Sequence, residues 1–368
     1  GVGSLVWDHE QNLGAVGATG TSAANRVAAE ADLIIGIGTR YSDFTTASRT
    51  AFQNPNVKFI NINVASFDAF KHGSAIPVVA DARESLLELT DELKGYRVAA
   101  DFETVYTNEK AVWDAAVDAS FVDQKRALPG QPEIIGAVQE ASDPRDVVIC
   151  AAGSLPGDLH KLWRVRDDLG YHVEYAFSCM GYEIAAGLGA ARAGAMPIVM
   201  VGDGSYLMMH TEIVSAVAEG LKFIIVLIQN HGFASIGHLS EDIGSQRFGT
   251  QYRFRDTAAN NFEGEKKLPV DLAANAASLG IDVIDIKPSA SSIADLHAAV
   301  KKAKASDKAT LIHINSDPLL YSPDGEGWWD VPIAPISTLK STQDAYKKYS
   351  EEITQQRPLL GNGTKDKK

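Results

Sequence analysis

The sequence has little cysteine, a deficit of positive charge and no long apolar run. Its two cysteines, Cys150 and Cys179, cannot make a disulfide framework, which favours a reducing, cytoplasmic setting. The 34 Lys and Arg residues stand against 47 Asp and Glu residues, and the net charge of −13 argues against nucleic acid or an anionic membrane as a partner. No apolar stretch approaches the ~20 residues of a membrane-spanning helix. There is also no HExxH or CxxC spacing, so a zinc site is not expected.

The remaining composition and the length predict a two-domain α/β protein. Hydrophobic residues make up 45% and charged residues 22% of the chain, as in globular proteins, and 368 residues are enough for two domains. Short apolar strands alternate with helical patterns, which is typical of parallel sheets covered on both faces. We predict an α/β domain over residues 1–95, incomplete at its start, a surface connector over residues 96–130, a second α/β domain over residues 131–317 and a partly disordered tail over residues 318–368.

The predicted helices and strands follow the apolar periodicity of the chain. Strands are expected at residues 33–38, 57–64, 77–80, 147–150, 198–201, 223–228, 283–286 and 310–314. Helices are expected at residues 23–31, 85–93, 110–119, 184–193, 270–279 and 293–303, around Ile134, Ile135 and Val138, and around Ile213, Val214 and Val217. The polar stretch over residues 239–267 is expected to be mobile. The paired tryptophans Trp328 and Trp329 are expected to pack back onto a domain.

One strand–helix–strand unit carries the strongest functional signal. Its first strand, residues 198–201, ends at Gly202-Asp203-Gly204, and its second strand, residues 223–228, is followed by Asn230. Parallel strands joined by a crossover helix point the same way, so Asp203 and Asn230 should emerge at the same edge of the sheet. Open α/β sheets bind their ligands at that edge.

The residue types at this edge suit a magnesium–diphosphate site. The oxygens of Asp203 and Asn230 are ligands that Mg²⁺ accepts, and the ion commonly shares its shell with phosphate groups. Backbone N–H groups of Gly204 and Ser205, where the helix begins, are placed to meet phosphate oxygens. The alternative is an ordinary turn in which Asp203 caps the helix.

The spacing of these residues resembles a known cofactor signature. GDG, then 25 residues, then Asn230 is similar to the thiamine-diphosphate motif of the acetolactate synthase and pyruvate decarboxylase superfamily, although Gln229 replaces the first Asn of the usual pair. The resemblance implies thiamine diphosphate and Mg²⁺ as cofactors, with Asp203, Asn230 and the backbone carbonyl of Gly232 as metal ligands. The cofactor-binding residues implied on this stretch are Gly202, Asp203, Gly204, Ser205, Asn230, Gly232 and Phe233.

Two further segments gain roles from the same resemblance. The small-residue loop after the strand at 147–150 would contact the diphosphate through Gly153 and Ser154; a plain loop that caps the next helix through Asp158 is equally open. In the turn before helix 184–193, the Ser178 carbonyl would accept from the aminopyrimidine. Met180 would be the apolar wedge that bends the cofactor, or else a core residue. Cys179 is interpreted as a packing residue.

The first domain is expected to be structural. Gly36-Ile37-Gly38 after a strand would also suit a dinucleotide site, but the third glycine of that motif is absent. A glycine turn followed by Arg40 and Asp43 is instead similar to the central domain of the thiamine-diphosphate superfamily.

Three histidines lie near the signature. His210, His231 and His238 are expected to be satisfied polar residues or neighbours of the cofactor or substrate.

Several strings narrow the resemblance. DLIIGIGTRYSDF, FININV, CAAGSLPGDLHKLW, SCMGYE and WWDV together resemble the trihydroxycyclohexane-1,2-dione hydrolase family of myo-inositol catabolism over most of residues 1–332. That family cleaves a carbon–carbon bond in a cyclic 1,2-diketone and gives a deoxy-glucuronic acid. The resemblance implies a small-molecule diketone substrate and a homodimer or homotetramer.

The chain begins Gly-Val-Gly, inside the region that resembles the central domain. The superfamily's activating Glu belongs to an earlier pyrimidine-binding domain, and no catalytic residue can be nominated here. We therefore expect a fragment that is inactive alone, binds the cofactor weakly and exposes partner surface. The alternatives are an acetolactate synthase-like carboligase or decarboxylase, a non-catalytic cofactor-binding module and a nucleotide-binding dehydrogenase.

Overall fold

A computed structural model describes residues 2–175, 177–262 and 264–359 of the chain. These residues form two compact units, each described by itself. The larger unit holds Ala116–Pro323, Thr338–Thr342 and the N-terminal residues up to His9; the smaller holds Glu10–Ala115, Asp324–Ser337 and the chain from Gln343. In the tail predicted to be partly disordered, residues 360–368 lie outside the described residues.

Helices and strands alternate along most of the chain. The helices are Ser22–Glu30 (α1), Ser66–Ala69 (α2), Ala82–Glu92 (α3), Ala100–Phe121 (α4), Gln131–Ala141 (α5), Leu155–Leu162 (α6), Tyr182–Arg192 (α7), Asp203–Met208 (α8), Glu212–Glu219 (α9), Ala234–Asp242 (α10), Leu272–Ser278 (α11), Ser292–Ala305 (α12) and Lys340–Glu352 (α13). The strands are Leu33–Ile37 (β1), Lys58–Ile62 (β2), Ile76–Val78 (β3), Asp146–Cys150 (β4), Tyr171–Val173 (β5), Met196–Gly202 (β6), Ile224–Gln229 (β7), Asp282–Ile286 (β8) and Thr310–Asn315 (β9). No helix of the described residues combines the length and apolarity needed to cross a membrane.

The smaller unit is built on a parallel sheet in the order β1-β2-β3. Phe59 on β2 packs with Tyr41, Phe52 and the buried ring of His72. A Cβ at Gly36 would stand 2.0 Å from the Tyr41 hydroxyl oxygen, so this glycine makes room for the tyrosine ring. Packing therefore accounts for the first glycine of the apparent dinucleotide motif without a ligand.

The tryptophan pair packs on the smaller unit, as expected from its sequence. The Trp329 ring packs against Phe44 at a tilt, with ring centroids 4.9 Å apart, and its indole N–H donates to the Asp43 carboxylate at 2.9 Å. Trp328 lies beside Tyr349 of α13. These contacts give Asp43 a structural role, as predicted for this domain.

The larger unit contains a six-stranded parallel sheet in the order β5-β4-β6-β7-β9-β8. Strand β7 is buried at every position, as expected for a central parallel strand. Helices α7, α9 and α11 share an apolar core with β6, β7 and β9, while α12 contacts β7, β8 and β9 and packs on α5. From β4 the chain runs first to β5 on one side and then back to β6 on the other. The strand order therefore reverses between β4 and β6, which is where such sheets bind ligands. The predicted α/β class with parallel sheets is confirmed.

Some elements differ from the sequence prediction. Helix α4 begins ten residues before the helix predicted at 110–119, and α10 lies partly in the stretch predicted to be mobile. The crossover after β6 is two helices, and Val214 and Val217 on α9 are exposed while Ile213 and Ala216 face the core. The buried face of α9 is therefore formed by Ile213 and Ala216, three positions apart, and not by all of the apolar residues on which the helix prediction was based.

Candidate functional site

The Asp203 side chain lies where the ends of β6 and β7 meet. Gly202 pairs with Ile228 in the sheet register, so the loops that follow the two strands are neighbours. The Asp203 carboxylate is 1% exposed and accepts hydrogen bonds from the backbone N–H groups of His231 at 2.7 Å and Gly232 at 3.2 Å. The two strand ends predicted to share a site are therefore in direct contact.

The environment of Asp203 perturbs its ionisation and excludes the simple capping role. Burial raises the pKa of this carboxyl group to about 6, against the opposing effect of the N–H groups that it accepts from. Gly202 is the N-cap of α8, and no side chain makes a capping hydrogen bond there. Gly204, whose N–H was predicted to meet phosphate, donates to Asp203 at 3.0 Å. The carboxylate thus holds the loop after β7 rather than capping a helix.

Asn230 contributes a buried oxygen that nothing in the described chain satisfies. Its side-chain Oδ1 has no hydrogen-bond partner. Leaving such an atom unpaired costs about 1–3 kcal/mol, so a ligand atom at this position would remove a penalty that the protein carries alone.

Gly232 completes the predicted ligand set through its backbone. A Cβ at this position would stand 2.2 Å from the Thr250 carbonyl oxygen, so only glycine lets the two segments approach. The three predicted metal residues, Asp203, Asn230 and Gly232, are therefore brought together. Their donors, a carboxylate, an amide oxygen and a carbonyl, suit a hard cation such as Mg²⁺. Within residues 2–175, 177–262 and 264–359, no group of three or more His, Cys, Asp or Glu residues could hold a metal ion. The proposed ligands include only one residue of those four types, Asp203. The other two donors are the neutral oxygens of the Asn230 side chain and the Gly232 backbone.

An apolar contact joins two predicted cofactor segments above α8. A Cβ added to Gly204 would meet Phe233 Cε1 at 2.9 Å and Met180 Cε at 3.1 Å. Met180 and Phe233 therefore converge over the glycine that follows Asp203. Met180 is half-buried rather than enclosed in the core, which is compatible with a wedge role and with the alternative that it fills space.

The loop after β4 follows a strand that pairs with β6 in the sheet. Gly153 has a φ of +85°, which favours glycine, and open space surrounds the position of its missing Cβ. The Ser154 hydroxyl is 3.0 Å from Gln131 Oε1, and Asp158 accepts from Gln131 at 2.6 Å. Helix α6 begins before Asp158 and has no side-chain cap, so the capping alternative for Asp158 is wrong.

The turn before α7 is exposed and is held by one carboxylate. Glu174 accepts from the backbone N–H groups of Phe177 at 3.0 Å and Cys179 at 2.9 Å. Ser178 lies between them with a φ of +50°. Cys179 is exposed, so the interpretation of this thiol as a packing residue is wrong.

Glu183 joins the three predicted cofactor segments, and sequence reasoning missed it. Its carboxylate, 1% exposed, accepts from the N–H of Ala152 at 3.3 Å and of Gly181 at 2.9 Å, and it also bonds the Ser205 hydroxyl. Burial raises the pKa of this group. The available signal was a glutamate in the first turn of an otherwise small and apolar helix, where an unpaired buried charge would be costly.

The three histidines near the signature are satisfied within the protein. His231 Nδ1 lies 3.1 Å from Gln229 Nε2, its ring also bonds the Asn315 side chain, and burial lowers its pKa. The His210 ring nitrogen contacts the Tyr206 carbonyl at 3.0 Å. His238 stacks on Tyr321. These contacts favour the structural interpretation over a catalytic one.

Gln229, the departure from the usual Asn pair, has its own packing reason. Its Oε1 lies 2.7 Å from His313 Nε2, and its Nε2 donates to the Val270 carbonyl at 3.2 Å. The longer side chain thus ties β7 to β9 and to the segment before α11.

Comparison with known proteins places this geometry in context. Residues 151–314 match the family described as thiamine pyrophosphate enzyme, C-terminal TPP binding domain, and residues 1–89 match thiamine pyrophosphate enzyme, central domain. The chain is 36% identical over 383 aligned residues to 3D-(3,5/4)-trihydroxycyclohexane-1,2-dione hydrolase 1 of Bacillus cereus (strain ZK / E33L) and 37% identical to the hydrolase of the same name from Bacillus anthracis (strain A0248). These matches cover 97% of this chain and 58% of each relative.

Proposed function

Because this chain belongs to the thiamine pyrophosphate enzymes, with the central and C-terminal domains of that family, we propose that it binds thiamine diphosphate with Mg²⁺ and serves a ring-opening hydrolase. The proposed substrate is a cyclic 1,2-diketone, trihydroxycyclohexane-1,2-dione, whose carbon–carbon cleavage gives a deoxy-glucuronic acid in inositol catabolism. The relatives named above are hydrolases of this diketone, which supports the proposed substrate. The chain spans 58% of the length of these relatives. The activity and the substrate of the whole protein are therefore proposals.

The observation that carries the proposal is the meeting of Asp203 with the loop of residues 230–232. A buried carboxylate, an unpaired amide oxygen and a backbone carbonyl at adjacent strand ends form a donor set for a hard cation. In the proposal, Asp203, Asn230 and the Gly232 carbonyl hold the metal. The loop of Gly153 and Ser154 would lie near the diphosphate of the cofactor.

The residues around the cation site would orient the rest of the cofactor. Met180 and Phe233 present an apolar surface over Gly204, which would support a ring, and the exposed Ser178 carbonyl would accept from its amino group. Bound thiamine diphosphate supplies a carbon nucleophile that adds to a carbonyl group and serves as an electron sink. The protein residues bind and orient this group.

Titration calorimetry with thiamine diphosphate and Mg²⁺ tests the binding part of the proposal. We expect saturable binding by the wild type, and a loss of at least about tenfold in affinity for Asp203→Ala and Asn230→Ala, since each removes one ligand oxygen. Asp146→Asn is the matched control. Asp146 is also a buried carboxylate, but it lies at the amino end of β4, whereas the proposed site lies at the carboxyl ends of the strands. Equal affinity in all four proteins would contradict the proposed site.

A turnover assay tests the chemical part. The cyclic diketone is compared with pyruvate, which an acetolactate synthase-like carboligase would use instead. Ring opening by the 368-residue chain itself would overturn the expectation that these residues alone are inactive. Binding without turnover of any substrate, in a polypeptide as long as the relatives, would favour a non-catalytic cofactor-binding module.

The proposal also includes a cytoplasmic location and a homo-oligomeric state. Both cysteines are free, which fits a reducing cytoplasm. Leu207 and Met208 at the end of α8, and Met209 directly after it, are each more than two-fifths exposed. Exposed apolar clusters mark interaction surfaces, and we propose a homodimer or homotetramer that light scattering can measure.

A further inference from the structure

Buried polar atoms without a partner gather beside the proposed cation site. Asn230 Oδ1, Gln251 Oε1 and the Tyr252 hydroxyl are all buried, and none has a hydrogen-bond partner within the described residues. Native proteins rarely leave such atoms unpaired, so each one calls for an explanation. Asn230 Oδ1 is proposed above to bind the cation, and the atoms of residues 251 and 252 share its lack of a partner.

Backbone pairing holds these atoms in one place. Gly232 forms an antiparallel bridge with Gln251, and the Tyr252 N–H donates to the His231 carbonyl at 2.8 Å. Phe233 donates in the same way to the Thr250 carbonyl at 2.8 Å. The segment of residues 250–252 is thus paired with the loop that carries the proposed metal ligands. Successive side chains of a strand point to opposite faces. We therefore expect Gln251 and Tyr252 to contact different parts of a bound ligand.

Gln251 is one of the residues that line a cavity about the size of one water molecule. The cavity, of about 10 Å³, is lined by Asn230, Gly232 and Gln251, with Arg247, Thr250, Ala234 and Pro318 around it. The unpaired atom of Gln251 is an oxygen and can only accept a hydrogen bond. Mg²⁺ keeps part of its water shell when it binds to proteins, and such a water is a donor.

Tyr252 lies on the side where phosphate is expected. Its ring meets Phe233 edge-on at 5.6 Å, and Phe233 covers Gly204 next to Asp203. A phenol hydroxyl is neutral near pH 7 and can donate a hydrogen bond, and this one lies close enough to Asp203 for the two groups to interact electrostatically. An anionic oxygen that binds a cation held by Asp203 would come within reach of this donor.

We propose that residues 250–252 form a further wall of the ligand site, in which Gln251 Oε1 accepts from a cation-bound water and the Tyr252 hydroxyl donates to a diphosphate oxygen. This inference rests on the proposed function and assigns two residues to it. It has an unusual thermodynamic signature. An unpaired buried hydroxyl destabilises the ligand-free protein, so its removal should not weaken the fold but should weaken ligand binding.

The test compares Tyr252→Phe and Gln251→Met with the wild type and with Tyr41→Phe. Tyr41 is the matched control, since its buried hydroxyl donates to Asn61 at 2.6 Å and lies in the other unit. Urea unfolding of the ligand-free chain should give Tyr252→Phe a midpoint equal to or above that of the wild type, whereas Tyr41→Phe lowers it. Calorimetry with Mg²⁺ and either thiamine diphosphate or inorganic diphosphate should show about tenfold weaker binding for Tyr252→Phe and Gln251→Met alone.

The outcomes separate this inference from the function on which it rests. A wild type that binds, with both variants binding equally well, overturns the role of residues 250–252 and leaves the proposed function standing. A lowered midpoint for Tyr252→Phe, like that of Tyr41→Phe, shows an ordinary structural hydroxyl and also overturns it. Weaker binding of thiamine diphosphate with unchanged binding of inorganic diphosphate contradicts the phosphate contact. A wild type that binds neither probe removes both the inference and the proposed function.

Discussion

The ring of His72 shows how a single residue can tie stability to pH. It is 4% exposed, stacks on Phe59 at 5.3 Å, and neither ring nitrogen has a partner in the described chain. Burial, together with the charges of Arg357, Lys71 and Arg49, lowers its pKa to about 4. The neutral ring is therefore the form that the fold accepts.

We predict that this residue makes the smaller unit acid-sensitive. Because the pKa of His72 is lowered from 6.5 to about 4, the unfolded chain binds the proton more readily, and stability falls as the pH drops from about 6.5 towards 4. The full effect is roughly 3 kcal/mol. His72→Asn should flatten the dependence of the urea midpoint on pH over this range, whatever its effect at pH 7. His297→Gln, on the helix α12, is the control, and an unchanged slope in His72→Asn would contradict the assignment.

Glu183 is a second residue whose effect reaches beyond its own contacts. Glu183→Gln turns one accepting oxygen into a donor that faces backbone N–H groups, so the segments around Ala152 and Gly181 should separate. We expect thiamine diphosphate affinity to fall about tenfold at a temperature well below unfolding. Asp146→Asn should also lower stability, since Asp146 accepts from the Asp143 N–H at 2.7 Å, but should leave affinity unchanged. If both variants lose affinity in proportion to stability, Glu183 is only structural.

Site residues that directly follow a strand can be predicted from the sequence. Site residues that reach the site only through pairing with a distant segment cannot. Asp203 and Asn230 could be located because each follows a recognisable apolar strand. Gln251 and Tyr252 lie in a polar stretch, and only the backbone bridge to Gly232 brings them to the site. Glu183 was visible in the sequence, but its three partners belong to three different segments.

The helix α7 shows how one element is fitted to the sheet. A Cβ on Gly187 would lie 2.4 Å from Val199 Cγ2 and 3.2 Å from the Phe223 ring, whereas a Cβ on Gly189 would meet nothing within 4 Å. The close packing expected of the small-residue helix is therefore specific to the face that carries Gly187.

We predict opposite effects for two alanine substitutions in α7. Gly187→Ala forces atoms into β6 and should destabilise the larger unit by about 1–3 kcal/mol. Gly189→Ala meets open space and should stabilise it by about 0.5–1 kcal/mol, because alanine loses less entropy in a helix. Chemical unfolding of the two variants in parallel measures both. Equal destabilisation would show that the exposed face of α7 is also packed.

Element prediction succeeded where the apolar pattern was strong. The strands β4, β6, β7 and β9 were placed to within one or two residues, because they are runs of buried aliphatic side chains. The three-residue strand β5 and the helices α10 and α13 were missed. Their sequences are polar or short, and tertiary contacts rather than local pattern fix them.

For the whole molecule, the division into two units predicts two unfolding events. All the proposed cofactor residues lie within Ala116–Pro323, in the larger unit. In differential scanning calorimetry, thiamine diphosphate and Mg²⁺ at about 100 times the dissociation constant should stabilise that unit by about 2.7 kcal/mol and leave the other transition in place. A single unfolding transition that shifts as a whole when the ligands are added would contradict independent unfolding of the two units.

The two α/β halves could be predicted at this scale, but the course of the tail could not. The tail contributes Asp324–Ser337 to the smaller unit and Thr338–Thr342 to the larger one before it returns. Nothing in its local sequence sets that path, because the anchoring contacts, such as Trp329 on Asp43, join residues nearly 300 positions apart.

The contrast between the two thiols gives this chain a native reporter. Burial raises the pKa of Cys150 to about 12 and encloses its sulfur, whereas Cys179 is exposed in the turn proposed to hold the cofactor ring. An alkylating dye should therefore modify one position under native conditions, and its rate should drop when that turn is occupied. Peptide mass mapping over time would then follow occupancy of the site without any engineered label.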